Sequence, residues 1–126
     1  MYESFYGFRE KPFQIVPNPN FLYLSPKHEN ALTYLEYGLM ERVGFVLLSG
    51  EVGSGKTTLI RHILGKIESE IEVAVIFNTN VSSEQLLQMI LDEFEIERGS
   101  GDKAQAFSAL YKYLIDLYAR KKRALL

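Results

Sequence analysis

No cysteine occurs in the 126 residues, which excludes disulfides, thiolate metal sites and a cysteine nucleophile at once. Only two histidines are present, His28 and His62, and no second histidine or carboxylate recurs beside either at ligand spacing, so no metal site of that kind is expected. No apolar run approaches the roughly 18 residues of a spanning helix, and the opening MYESFYGFRE has neither the basic head nor the apolar stretch of a secretory leader. The expectation is a cytoplasmic chain. Net charge is also small, formally −2, and gives no global electrostatic reason to bind a polyanion; contact with nucleic acid would need a local patch. The run Arg120, Lys121, Lys122 and Arg123 is basic, but cations are expected at the C-terminal end of a helix from the dipole alone.

The chain is long enough for one compact domain with a core. Nine aromatics, Tyr2, Phe5, Tyr6, Phe8, Phe13, Phe21, Tyr23, Tyr34 and Tyr37, fall in the first 37 residues, which predicts that this region packs rather than trails in solvent. Pro12, Pro17 and Pro19 rule out a regular helix from about 11 to 20, so that stretch is expected to run extended over the surface. Ser25 as N-cap and Pro26 at the first helical position begin a helix over about 26 to 42, with Leu32, Leu35 and Leu39 at helical spacing and Gly44 placed to close its turn. FVLLS at 45 to 49 and VAVIFNT at 73 to 79 are short apolar runs without alternation and read as buried parallel strands. A crossover helix from Lys56 to about Ser69 joins them, with Leu59, Ile63, Leu64 and Ile67 on one side.

Ser82 with Gln85 forms a capping box for a helix over about 83 to 95, and Asp102 with Gln105 does the same for one over about 103 to 121. In the second, Phe107, Leu110, Leu114 and Leu117 make an apolar stripe that reads as core. ERGSGD at 97 to 102 is polar and reads as an exposed loop. Strand, helix, strand, helix, helix is the order of an α/β domain. Residues 1–44 are expected to form an aromatic and proline-rich segment plus a helix packed on the core, and residues 45–126 the N-terminal part of that core.

GEVGSGKTT, residues 50 to 58, carries the chemistry. Gly50, Gly55, Lys56 and Thr57 match G-x-x-x-x-G-K-[ST] between an apolar strand and a helix, where a phosphate loop needs them. Glycines at 50, 53 and 55 let the backbone turn sharply and aim successive N–H groups inward, and the helix beginning near Lys56 adds the positive end of its dipole. Gly50, Glu51, Val52, Gly53, Ser54, Gly55, Lys56, Thr57 and Thr58 are therefore the expected nucleotide-binding residues, with ATP and Mg2+ as cofactors. Lys56, also the catalytic candidate, is expected on the β- and γ-phosphates, the Thr57 hydroxyl on the metal and Thr58 on the α-phosphate. His28, at a helix start, is placed to approach a base ring or to serve as a surface or capping residue. His62 is expected to be a partly buried neutral side chain.

Hydrolysis needs more: an acidic residue at the end of another strand to organise magnesium, and a polar group for the attacking water. VIFNTN at 75 to 80 ends without a carboxylate, and Arg123-Ala124-Leu125-Leu126 reads as a third strand cut short, so the 126 residues are expected to be the N-terminal part of a longer domain. The opening block, with P-N-P-x-F-L-Y-L-S and H-x-x-A-L-x-x-L-x-Y-G-L, followed by GFVLLSGEVGSGKTTL, resembles the AAA-type ATPases of the general secretion pathway protein A family, including relatives beside exosortase-type exopolysaccharide loci. The resemblance covers nearly the whole chain. It implies an AAA+ nucleotide-binding core of the P-loop NTPase type, with a parallel sheet flanked by helices. A later strand is implied between the phosphate-loop strand and the Walker B strand, and the catalytic glutamate, sensor and arginine finger lie beyond this sequence. Homo-oligomers built through the AAA core, inner-membrane or secretion-system partners, and a place at the cytoplasmic face of the inner membrane follow from the same resemblance. By analogy, Phe13 to Val16 and Tyr23 to His28 are candidates for the adenine pocket.

The function expected is ATP hydrolysis driving assembly or operation of a secretion or exopolysaccharide export system. Two alternatives differ in kind: an ATP-dependent switch of the DNA-transposition AAA type, which a basic face would favour, and a small-molecule kinase, which would usually begin at the phosphate-loop strand. With an exposed ladder edge, the isolated piece is expected to be poorly stable and prone to aggregate.

Overall fold

The computed structural model describes residues 2–67, 69–97, 99 and 102–126. Its elements run α1 (Tyr2–Tyr6), a 3-10 turn (Pro19–Phe21), α2 (Pro26–Met40), α3 (Lys56–Leu64), β1 (Ile71–Val73), α4 (Ser83–Glu93), α5 (Lys103–Ala119) and β2 (Arg123–Leu125). The chain divides into two compact units, Met1–Ile67 and Glu68–Leu126.

In the first unit, α2 starts as the sequence predicts, with the Ser25 hydroxyl accepting the His28 N–H and Pro26 in the first turn. It ends differently. Arg42, not Gly44, turns into the left-handed region at φ +55°, and the Val43 N–H donates back to Gly38 O at 3.0 Å. The helix after the phosphate loop also stops early, because Gly65 caps it at Leu64 and glycine propagates a helix poorly. Leu32, Leu59 and Ile63 form the buried centre, with Leu22, Leu24, Leu35, Leu39 and Leu48 packed around it. The Arg61 guanidinium donates to Pro17 O at 3.2 Å and ties the irregular proline stretch to α3.

Two sequence expectations fail in this unit. Residues 45–49 form no strand, and Phe45 and Leu47 are 96% and 92% exposed. A strand is held by a ladder partner, and among the described residues none faces this segment. Leu48 alone of the run packs on the core. Val46 lies so close to α2 that a Cβ on Gly38 would come within 2.6 Å of its Cγ2. The nine early aromatics, expected to pack, are all exposed. Leu22 and Leu24 of the same stretch take the places against the core, while Tyr6 stacks on Phe8 and meets the Phe5 ring edge-on.

The second unit holds the sheet. β1 and β2 pair in parallel, Ile71 with Arg123, Glu72 with Ala124 and Val73 with Leu125. The strand expected at the end of the sequence is present. The strand expected over 73–79 is shorter and begins earlier, because the ladder runs only where β2 faces it. Its last bond is Ala74 N–H to Leu125 O, 2.8 Å. Beyond it, Val75 N–H donates to the Glu93 carboxylate of α4, and Phe77 is exposed. Lys122 bonds Glu72 at 2.6 Å; that hydrogen bond, with the ammonium charge, holds the Glu72 carboxyl below its ordinary range.

The α4 capping box is formed in both directions: Gln85 N–H donates to Ser82 Oγ, and Ser82 N–H to Gln85 Oε1. Asp102 caps α5 through the Ala104 N–H. Arg98, Ser100 and Gly101 of the expected loop lie outside the described residues. Leu87, Leu91 and Ala106 are buried together with Ile96, Ala109 and Leu110 around them, and Leu117 is fully enclosed. The core face of α5 is therefore rotated from the predicted stripe. Phe107 and Leu114 are exposed, because α4 packs against the smaller Ala106 and Ala109, which let the helices approach closely.

Candidate functional site

The site grows from the turn between residue 49 and α3. Gly53 and Gly55 adopt φ +79° and +92°, values that a side chain disfavours. α2, α4 and α5 each begin with a side chain accepting a first-turn N–H. α3 begins on Gly55 with no such cap, which leaves its first donors for a ligand anion.

Lys56, the first residue of α3, folds back over the loop. Its ammonium donates to Gly50 O at 2.8 Å and to Glu51 O at 2.7 Å, and stands 3.5 Å from Ser54 Oγ. All three partners are uncharged, so among the described residues none neutralises the positive charge. Exchanging neutral carbonyls for phosphate oxygens would pair the ammonium with an opposite charge and give stronger bonds.

A cleft of about 470 Å³ opens beside the loop, lined by Lys27, His28 and Ala31 of α2, Leu48, Ser49, Gly50, Glu51, Ser54, Gly55, Lys56 and Leu59. That volume lies in the range of small-ligand pockets. Its ionic lining is two lysines against the single carboxylate of Glu51. The expected site residues Gly50, Glu51, Ser54, Gly55 and Lys56 meet there. Val52, Gly53, Thr57 and Thr58 do not line the cleft, and Thr57 stands exposed on the first turn of α3.

Of the two stretches suggested for the adenine pocket, Phe13 to Val16 lies exposed and does not line the cleft, while Lys27 and His28 of the second do. Ala31 was not singled out in the sequence, although helical spacing puts residues 27, 28 and 31 on one side of α2. His62 is partly buried, and its Nε2 has no hydrogen-bond partner among the described residues.

A glycine loop that runs into an uncapped helix, with a lysine at the junction, defines a phosphate-loop nucleotide-binding protein. A family model described as an AAA domain matches residues 40–126, and the chain belongs to that family. It is also 43% identical over 126 residues to General secretion pathway protein A of Aeromonas hydrophila. That alignment takes in 98% of this chain and 23% of the relative, so the chain spans less than a quarter of the relative's length. No solved structure matches.

Proposed function

We propose that this chain is the ATP-gripping part of an AAA ATPase, in which hydrolysis by the longer protein drives assembly or operation of a cell-envelope secretion or exopolysaccharide export system. The observation that carries the reading is the Lys56 ammonium, held over the glycine loop by three uncharged oxygens. In this reading Lys56 leaves the two carbonyls to bind the β- and γ-phosphates, the loop N–H groups from Gly50 to Thr58 surround them, and the Thr57 hydroxyl supplies a metal ligand. A bound magnesium ion would neutralise phosphate charge as it develops. The residues fit a magnesium nucleotide: backbone N–H groups and one ammonium are donors for the anionic phosphates, and the Thr57 hydroxyl is an oxygen that could ligate the ion. The export role is supported by the likeness to General secretion pathway protein A. A homo-oligomer, inner-membrane or secretion-system partners and a cytoplasmic site belong to the same proposal.

The test is calorimetry with magnesium-ATP. Lys56→Ala is expected to weaken binding at least tenfold, about 1.4 kcal/mol or more. Equal affinity in the two proteins would remove the loop from the site.

A further inference from the structure

His28 touches the phosphate loop from a different element. Its Nε2 lies 2.8 Å from Ser54 O and its Nδ1 2.5 Å from Ser25 Oγ. A carbonyl only accepts, so Nε2 carries a proton and donates it; in the neutral ring, Nδ1 then accepts from the Ser25 hydroxyl. Both ring nitrogens are thereby committed inside the protein, and the ring edge has nothing left to offer a base. Ser25 itself is fixed as the N-cap of α2. The imidazole is therefore a strut between a helix end and the last peptide of the loop before α3.

That peptide needs holding. Gly55, on its far side, has φ +92°, and glycine permits the Ser54–Gly55 peptide to rotate at little cost. In a trans peptide the carbonyl and the following N–H point opposite ways, so fixing Ser54 O also fixes the Gly55 N–H. A loop that must freeze this rotation on binding loses affinity, and one frozen beforehand does not. A Cβ on Gly55 would stand 3.1 Å from His28 Nε2, a tight approach that leaves the loop little room to shift toward α2.

We propose that His28 is a positioning residue for phosphate binding, acting through the Ser54 carbonyl and not through the base. The proposal rests on the nucleotide reading above. The experiment compares wild type, His28→Ala and His28→Gln, whose amide nitrogen reaches about as far as Nε2. Affinities for magnesium-ATP and for inorganic pyrophosphate are measured by calorimetry, and amide exchange of Gly55 by NMR in protein without nucleotide. His28→Ala is expected to weaken both ligands by the same factor, about two- to tenfold, the size one net hydrogen bond supports. His28→Gln is expected to recover most of the loss, and Gly55 exchange to quicken in His28→Ala alone. If His28→Ala does not fold, His28→Asn, one methylene too short to reach Ser54 O, takes its place.

Weakened ATP with unchanged pyrophosphate would make His28 a base contact and overturn the proposal. Unchanged affinity for both, with wild type binding normally, would overturn it while leaving the nucleotide reading intact. Wild type that binds neither ligand would overturn both.

Discussion

Gly55 is the residue on which the site turns. It begins α3 without a side-chain cap, holds φ +92° and abuts His28. Gly55→Ala is expected to cost about 1–2 kcal/mol, the penalty of a side chain in the left-handed region, and to weaken magnesium-ATP binding as the new methyl presses on His28. Thermal melting and calorimetry on the same sample check the two parts. A variant with unaltered melting would mean that the loop relaxes out of this conformation. Gly50, Gly55 and Lys56 were legible in the sequence because a phosphate loop fixes their spacing within a single turn. His28 was visible as a helix-start histidine that could approach a base ring, not as a support of the loop. Its contact with Ser54 joins residues 26 apart, and no local pattern marks such a pair.

Among the elements, helix starts were readable and helix ends were not. Ser25, Ser82 and Asp102 cap the three long helices where the sequence placed them, since a cap is an interaction within three residues. The ends of the same helices use a left-handed residue, with the next N–H returning to the last turn: Val43 to Gly38, Ile96 to Leu91 and Lys122 to Leu117. Glycine usually fills that position. Here it is Arg42, Glu95 and Lys121, at φ +55°, +55° and +58°. Charged residues carry no turn signal, so the predicted ends ran past the observed ones. Glu95→Gly is accordingly expected to stabilise the protein by about 0.5–1 kcal/mol. Chemical denaturation checks it, and a loss of stability would show that the Glu95 side chain matters more than its backbone strain.

At the scale of the whole molecule, the α/β class was legible and the extent of the sheet was not. An apolar run is a local fact, whereas a strand is a fact about two segments. Residues 123–125 became a strand by meeting 71–73, and residues 45–49, more apolar, have no ladder among the described residues. The outcome is a first unit that presents Phe45 and Leu47 to solvent on a segment with no ladder among the described residues. Such an edge recruits other chains. The 126-residue chain is expected to associate increasingly with concentration, as followed by light scattering, and Leu47→Lys to reduce that association. Scattering independent of concentration would show that the edge is protected.

The close approach of Gly38 to Val46 acquires a different meaning beside the His28 contact. Both residues belong to α2. Gly38 bears on the segment that enters the phosphate loop, and His28 bears on the peptide that leaves it. Their separation along the helix is about 15 Å at 1.5 Å per residue. One rigid rod thus gauges the mouth of the loop from both sides, as a caliper does, and any force that tilts α2 is delivered to the phosphate grip at its entry and its exit together.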